Sequence, residues 1–289
     1  MNRPKPKNLF IFFIYNRPKI LQACLESFFA NDFPKDSYII FIDDAASSEC
    51  KNIYLPYIQG AGENALWKKY PMSELVLHWD NRGYSYSFFE ALNLCILLNP
   101  ENVFLVETDY VFTKGFYENC VKVLDSSKAI AINGFSHPDL YNRDKCIKYY
   151  GQSVTEQHGE DVPNRSNLYK PFDIENIKVQ YGTHSCCTLF LQWSKLISKV
   201  DIEDLYRLFD RVTERKTGFN PITPNDGLLT GGISLLWAKA NNFTSETQES
   251  AFIDIIDPPI AAHIHGGGIN GGYLPEGATD CLPPNWKKV

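Results

Sequence analysis

From residue 9 onward the chain alternates short, nearly unbroken apolar runs with segments whose apolar positions recur at helical spacing. "LFIFFIY" (9–15) is rich in β-formers and predicts a strand covered on both faces. Pro18 stands where a first-turn proline is tolerated, and Ile20, Leu21, Cys24, Leu25 and Phe28 follow as one helical stripe. "YIIFI" (38–42) predicts a second strand, ending in Asp43-Asp44 and a polar loop. "ELVLHW" (74–79) predicts a third, ending in Asp80-Asn81-Arg82-Gly83. A helix over 84–98 leads to a strand at "VFLVE" (103–107), and a helix over 114–124 leads to a strand at "AIAING" (129–134). Such alternation predicts an α/β fold with a mostly parallel central sheet and helices on both faces.

The second half is less regular. Residues 135–176 are polar, rich in turn formers and weak in periodicity, which predicts long loops over the sheet edge. A strand around 184–191, helices over 202–215 and 226–241, and a tail rich in proline and glycine follow. Neither an internal repeat nor a linker interrupts the chain. Its two halves, 1–134 and 135–289, therefore read as parts of one domain.

Composition narrows the function. The 28 basic and 34 acidic residues leave a net charge of −6, so no basic field exists to attract nucleic acid or an anionic membrane. Any phosphate must be held locally. The 8 cysteines are scattered without C-x-x-C spacing, which fits reduced thiols in a cytoplasmic protein better than a zinc site or disulfide framework. The apolar run 9–15 is too short to span a membrane, and no transmembrane segment is expected.

In open sheets of this kind ligands bind outside the carboxyl ends of the strands. Those ends carry Tyr15-Asn16-Arg17, Asp43-Asp44, Asp80-Asn81-Arg82-Gly83 and Glu107-Thr108-Asp109. Asp, Asn and Gly are ordinary turn residues. Four such clusters on one edge are less ordinary. Glu107 and Asp109, two apart at a strand end, are expected on one side, where paired carboxylates suit a hard divalent cation such as Mn2+ or Mg2+.

"IFFIYNRPKILQACLESF", "FIDDAASSE", "DNRGYSYSFFEALNL" and "FLVETDYVFTKGFYE" resemble, in order and spacing, the nucleotide-binding half of glycosyltransferases of the Rossmann-like GT-A fold, especially family 2. The resemblance covers roughly the first 125 residues. It implies a nucleotide-sugar-binding half over 1–134, an acceptor-binding and catalytic half over 135–289, and transfer of a sugar, from a UDP-sugar by preference, to a hydroxyl of a glycan or other acceptor with inversion. Residues implied to hold the nucleotide sugar are Tyr15, Asn16, Arg17, Asp43, Asp44, Asn81, Arg82, Gly83, Glu107 and Thr108. The final acid of the family's D-x-D metal motif matches Asp109. Two positions depart from the family: Glu107 replaces the first acid of D-x-D, and Asp43-Asp44-Ala45-Ala46 lacks the usual glycine.

Asp226 precedes the helical stripe Leu228, Leu229, Ile233, Leu236 and Trp237, where an acid commonly caps the helix. The resemblance implies a second role, as the base that deprotonates the acceptor, with Asp201 and Glu203 as lesser candidates. Near the end, "AAHIHGGGINGG" (261–272) sets His263 and His265 two apart before a glycine-rich loop able to fold over a diphosphate. By resemblance to GT-A enzymes with a C-terminal histidine ligand, His265 and His263 are further metal candidates. Alternative readings are a sugar-phosphate nucleotidyltransferase, against which "YNRPK" lacks a glycine-rich phosphate loop, and a non-catalytic sugar-binding protein on a decayed transferase fold.

Overall fold

A computed structural model describes residues 5–59, 65, 68, 70, 72–133, 170–182, 188–214, 226–243, 249–257 and 260–263. The predicted alternation is present: β1 (Asn8–Ile14), α1 (Pro18–Phe29), β2 (Ser37–Asp44), α2 (Ser48–Gln59), β3 (Met72–His78), α3 (Tyr84–Leu98), β4 (Asn102–Glu107), β5 (Tyr110–Phe112), α4 (Phe116–Ser126) and β6 (Ala131–Asn133). There follow β7 (Phe172–Ile174), β8 (Ile177–Gly182), β9 (Leu189–Leu191), α5 (Trp193–Ile197), α6 (Ile202–Glu214), α7 (Asp226–Asn241), β10 (Phe252–Asp257) and β11 (Ala261–His263).

The main sheet has the order β3-β2-β1-β4-β9-β6-β10-β8-β7. β3, β2, β1 and β4 pair in parallel, and the antiparallel pairings reverse only β9 and β8, so the sheet is mixed but mostly parallel. Every residue of β1 and β2 is buried, as a strand covered on both faces requires. One core holds Phe10, Phe12 and Phe41 against α1, α2 and α4. The other holds Ile11, Ile40 and Leu105 against α3, α5, α6 and α7. At the edge where the strands begin, buried Asn8 ties the register of three strands: its amide donates to Ser37 Oγ and its carbonyl accepts from Asn102 Nδ2, both at 3.1 Å.

Three segments depart from the sequence reading. The polar loop expected after Asp44 becomes helix α2, which buries only Cys50 and Tyr54, four residues apart, and contains Pro56, so its apolar stripe is too thin to stand out. Within the expected loop 135–176, Phe172–Ile174 pairs with β8 through a turn at Glu175-Asn176; residues 135–169 lie outside the described residues. "FIDIID" in the expected irregular tail is β10, inserted between β6 and β8. No described helix is long and apolar enough to cross a membrane.

Candidate active site

All four polar clusters emerge at the carboxyl edge of β3-β2-β1-β4. Arg17, just before α1, reaches Asp109, 92 residues on, with Nη1 2.6 Å from Oδ2. The arginine side chain is 46% exposed and the aspartate side chain 11%, so the cation side of the pair faces solvent and the anion side is largely covered. Behind it Cys24 is buried; desolvation first and the charge of Asp109 second push its thiol far upward, leaving it neutral. Asn81 Nδ2 donates to the exposed Tyr15 hydroxyl at 3.2 Å, and Ser47 N donates to Asn16 Oδ1 at 2.5 Å. Thr108 Oγ1 donates to Phe13 O at 3.3 Å, which ties the β4 end to β1.

The sequence pairing of Glu107 with Asp109 on one strand face needs correction. β4 stops at Glu107, and Thr108-Asp109 form a turn into β5. The two acids do not share a strand face, and Asp109 is only 8% exposed. Across this turn β11 runs antiparallel to β5 with His263 opposite Tyr110, so the backbone of His263 lies one register step from Asp109. His265 and the glycine-rich loop lie outside the described residues. Among the described residues, no group of three or more His, Cys, Asp or Glu gathers to hold a metal ion. Asp109 nonetheless fits a cation: its carboxylate is a hard oxygen donor that already holds the positive Arg17.

Asp43 and Asp44 are buried, at 0% and 6% exposure, and protein donors occupy them. Asp43 Oδ1 accepts from Ala46 N at 2.6 Å, and Oδ2 accepts from the Tyr54 hydroxyl. Burial, followed by that bond, pushes the Tyr54 phenol far above its ordinary range, so it remains a donor. Asp44 Oδ1 meets His78 Nδ1 at 3.0 Å and accepts from Arg82 N at 2.8 Å, while Oδ2 accepts from Gly83 N at 2.9 Å. An internal carboxylate thus sits on the N-terminus of α3, where amides converge on an anion.

At the position where the family has its glycine, the backbone is strained. Ala45 takes φ 56°, the left-handed conformation for which glycine is the easy residue. Relief of that strain outweighs the added chain entropy of glycine, so Ala45→Gly is expected to raise stability by about 0.5–1 kcal/mol. Urea denaturation with an unchanged slope checks it; a lower midpoint contradicts the strain.

Gly83 has φ 83° as the residue before α3, which explains a glycine there. Arg82 is exposed at the lip; its Nη1 donates to Tyr86 Oη at 2.7 Å and its Nε to Asp80 at 3.3 Å, and these bonds raise its already high pKa. His78 and Glu90, overlooked in the sequence, belong to this cluster through Asp44. The signals were available: a histidine follows the apolar Leu75-Val76-Leu77 at the strand's end, and Glu90 falls one helical turn after Tyr86.

Asp226 is the first residue of α7, as the spacing predicts. Trp237 of this helix donates its indole N–H to Lys128 O, 3.0 Å away and just before β6 begins, and Asn241 accepts from Lys199. These contacts hold the C-terminal end of α7 at the edge where the parallel strands start. Asp226 lies eleven residues before Trp237, about 16 Å along the helix axis from that anchor. Asp201 accepts from Glu203 N at 3.0 Å ahead of α6, an ordinary helix-entry contact.

No protein-family model and no curated protein matches the sequence. Among solved structures, the chain is similar to the mannosyltransferase PcManGT from Pyrobaculum calidifontis in complex with GDP-Man and Mn2+, with 13% identity, coverage of 88% of this chain and 58% of that chain, and a TM-score of 0.46. It is also similar to S. aureus TarS 1–349, with 14% identity, coverage of 88% and 59%, and a TM-score of 0.49. A match to TarS 1–349 in complex with UDP-GlcNAc covers 44% of this chain and 33% of that chain, at 21% identity and a TM-score of 0.35. The chain spans less than two thirds of the length of these solved chains.

Proposed function

We propose that the chain transfers a sugar from a nucleotide-sugar donor, a UDP-sugar by preference, to a hydroxyl of a glycan or other acceptor, with inversion and with a divalent cation. The observation that carries this reading is the meeting of Arg17 and Asp109 on the carboxyl edge of the parallel strands, the same edge that carries the Tyr15–Asn81 contact and the exposed Arg82. Tyr15 offers an aromatic face for the nucleotide base, and Arg82 offers a guanidinium to the diphosphate. Asp109, with His263 and His265 as the further ligands that the family resemblance implies, would hold the cation. When bound, Mn2+ or Mg2+ supplies charge neutralisation to the departing diphosphate. Arg17 then exchanges Asp109 for a diphosphate oxygen, which keeps its charge paired. Asp226 takes the proton from the acceptor hydroxyl, which attacks the anomeric carbon as the bond to the diphosphate breaks on the opposite face. Buried thiols at Cys24, Cys50, Cys95 and Cys120 fit a reducing cytoplasmic setting.

One observation favours a second reading. Because Arg17 already neutralises Asp109, the edge also fits a sugar-binding protein that needs neither metal nor chemistry. Incubation with UDP- and GDP-sugars, with and without Mn2+, separates the two by melting temperature and by released nucleoside diphosphate. Ligand at a hundredfold its Kd is expected to raise the melting temperature by about 5 °C or more. Stabilisation that ignores Mn2+, without nucleotide release, removes the transferase reading.

A further inference from the structure

We infer that His78 and Glu90 are positioning residues that, through Asp44, set the Asp80–Gly83 loop in the geometry that receives the donor; the inference rests on the nucleotide-sugar reading above. The link is continuous. Glu90 Oε2, on α3, lies 2.7 Å from His78 Nε2, on the edge strand β3. His78 Nδ1 lies 3.0 Å from Asp44 Oδ1, at the end of β2. Asp44 in turn accepts from the backbone N–H of Arg82 and of Gly83. Since Gly83 immediately precedes α3, the circuit closes on the helix that carries Glu90.

Orientation is determined at each link. The His78 side chain is 4% exposed, and its ring meets that of Tyr86 edge-on, with centroids 5.4 Å apart and planes at 76°. A ring with both nitrogens against acceptor-only carboxylates has no freedom to flip. Tyr86 also receives Arg82 Nη1, with the guanidinium carbon 4.9 Å from its ring centroid. The same aromatic side chain therefore packs on the relay and steers the exposed cation at the lip. Glycine at 83 admits the φ that aims two successive amides at Asp44. Burying polar groups such as Asp44 and His78 is costly, and apolar residues would pack β3 on α3 more cheaply. What this cluster provides and apolar packing does not is a defined direction for the Arg82 and Gly83 amides.

Glu90 is the residue to change, because its side chain is 32% exposed and its loss leaves no large cavity. In ligand-free Glu90→Ala, amide hydrogen exchange at Arg82 and Gly83 is expected to rise about tenfold, while Phe12 in β1 keeps its protection. Affinity for UDP with Mn2+, read by calorimetry, is expected to fall about tenfold, the scale of one charge-assisted hydrogen bond. Donor KM rises with it while kcat stays within about twofold. Glu90→Gln keeps an oxygen that accepts from Nε2 and is expected to restore both readings. Unchanged exchange in Glu90→Ala overturns the relay. Faster exchange with unchanged affinity and KM overturns its role in donor binding, and failure of glutamine to rescue overturns the part given to the Glu90 oxygen. If the parent protein binds neither UDP nor GDP with Mn2+, the nucleotide-sugar reading fails; the exchange result, which needs no ligand, still reports separately on the relay.

Discussion

Asp226→Asn is expected to melt within about 2 °C of the parent protein while losing about 10²–10⁴-fold in turnover. Asp226 is the first residue of α7, where asparagine forgoes only the attraction of a charge to the helix N-terminus, about 0.3–1 kcal/mol, so stability changes little. What asparagine cannot do is accept a proton from the acceptor hydroxyl. The helix itself remains anchored by buried Ile233 and Trp237, and the substitution touches neither. Donor and Mn2+ affinity should match the parent, because the base serves the acceptor. The measurement pairs sugar transfer with a melting curve. Retention of most activity returns Asp226 to a capping role and moves the search for a base to Asp201 and Glu203.

Asp109→Asn carries the second large effect: loss of Mn2+-dependent donor binding and a fall in transfer on the order of 10³-fold, the scale of a metal's charge stabilisation in a transition state. Asparagine is the right replacement because Asp109 is 8% exposed, and truncation to alanine would open space beneath Arg17. The amide oxygen can still accept from Arg17, whose half-exposed side chain also reaches water, so the stability cost should stay near 1 kcal/mol or less. UDP affinity is measured with and without Mn2+ in both proteins. In the parent, Mn2+ should tighten binding; in Asp109→Asn that gain should vanish. A variant whose Mn2+ dependence equals the parent's removes Asp109 from the metal site.

Much of this edge is legible in the sequence because it is built from local rules. An unbroken apolar run such as 9–15 makes a doubly covered strand, Pro18 opens a helix, and polar residues collect where the strands stop. The partners of each polar group are not legible in this way. The resemblance implies Asp43 and Asp44 as nucleotide-sugar contacts, and only the fold brings Ala46, Tyr54, His78, Arg82 and Gly83 to their oxygens. Glu107 and Asp109 look like strand neighbours, yet a turn separates them. Periodicity does not announce where a strand stops when the following residues, Tyr110 to Phe112, are again apolar.

The sequence by itself determined the alternation of strand and helix through the first half and the gathering of four polar clusters at the strand ends. Those features follow from side-chain periodicity and turn chemistry, which act over a few residues. Only the tertiary structure decided which clusters meet. Arg17 finds Asp109 because β1 lies beside β4 in the sheet, and Asp44 finds His78 because β2 lies beside β3. It likewise decided that "FIDIID" is a strand and that His263 stands across from Tyr110, since a short strand exists only through a partner's hydrogen bonds. Helix α2, with two buried side chains and an internal proline, is held by the core it covers rather than by its own pattern, because packing contributes what a thin apolar stripe cannot.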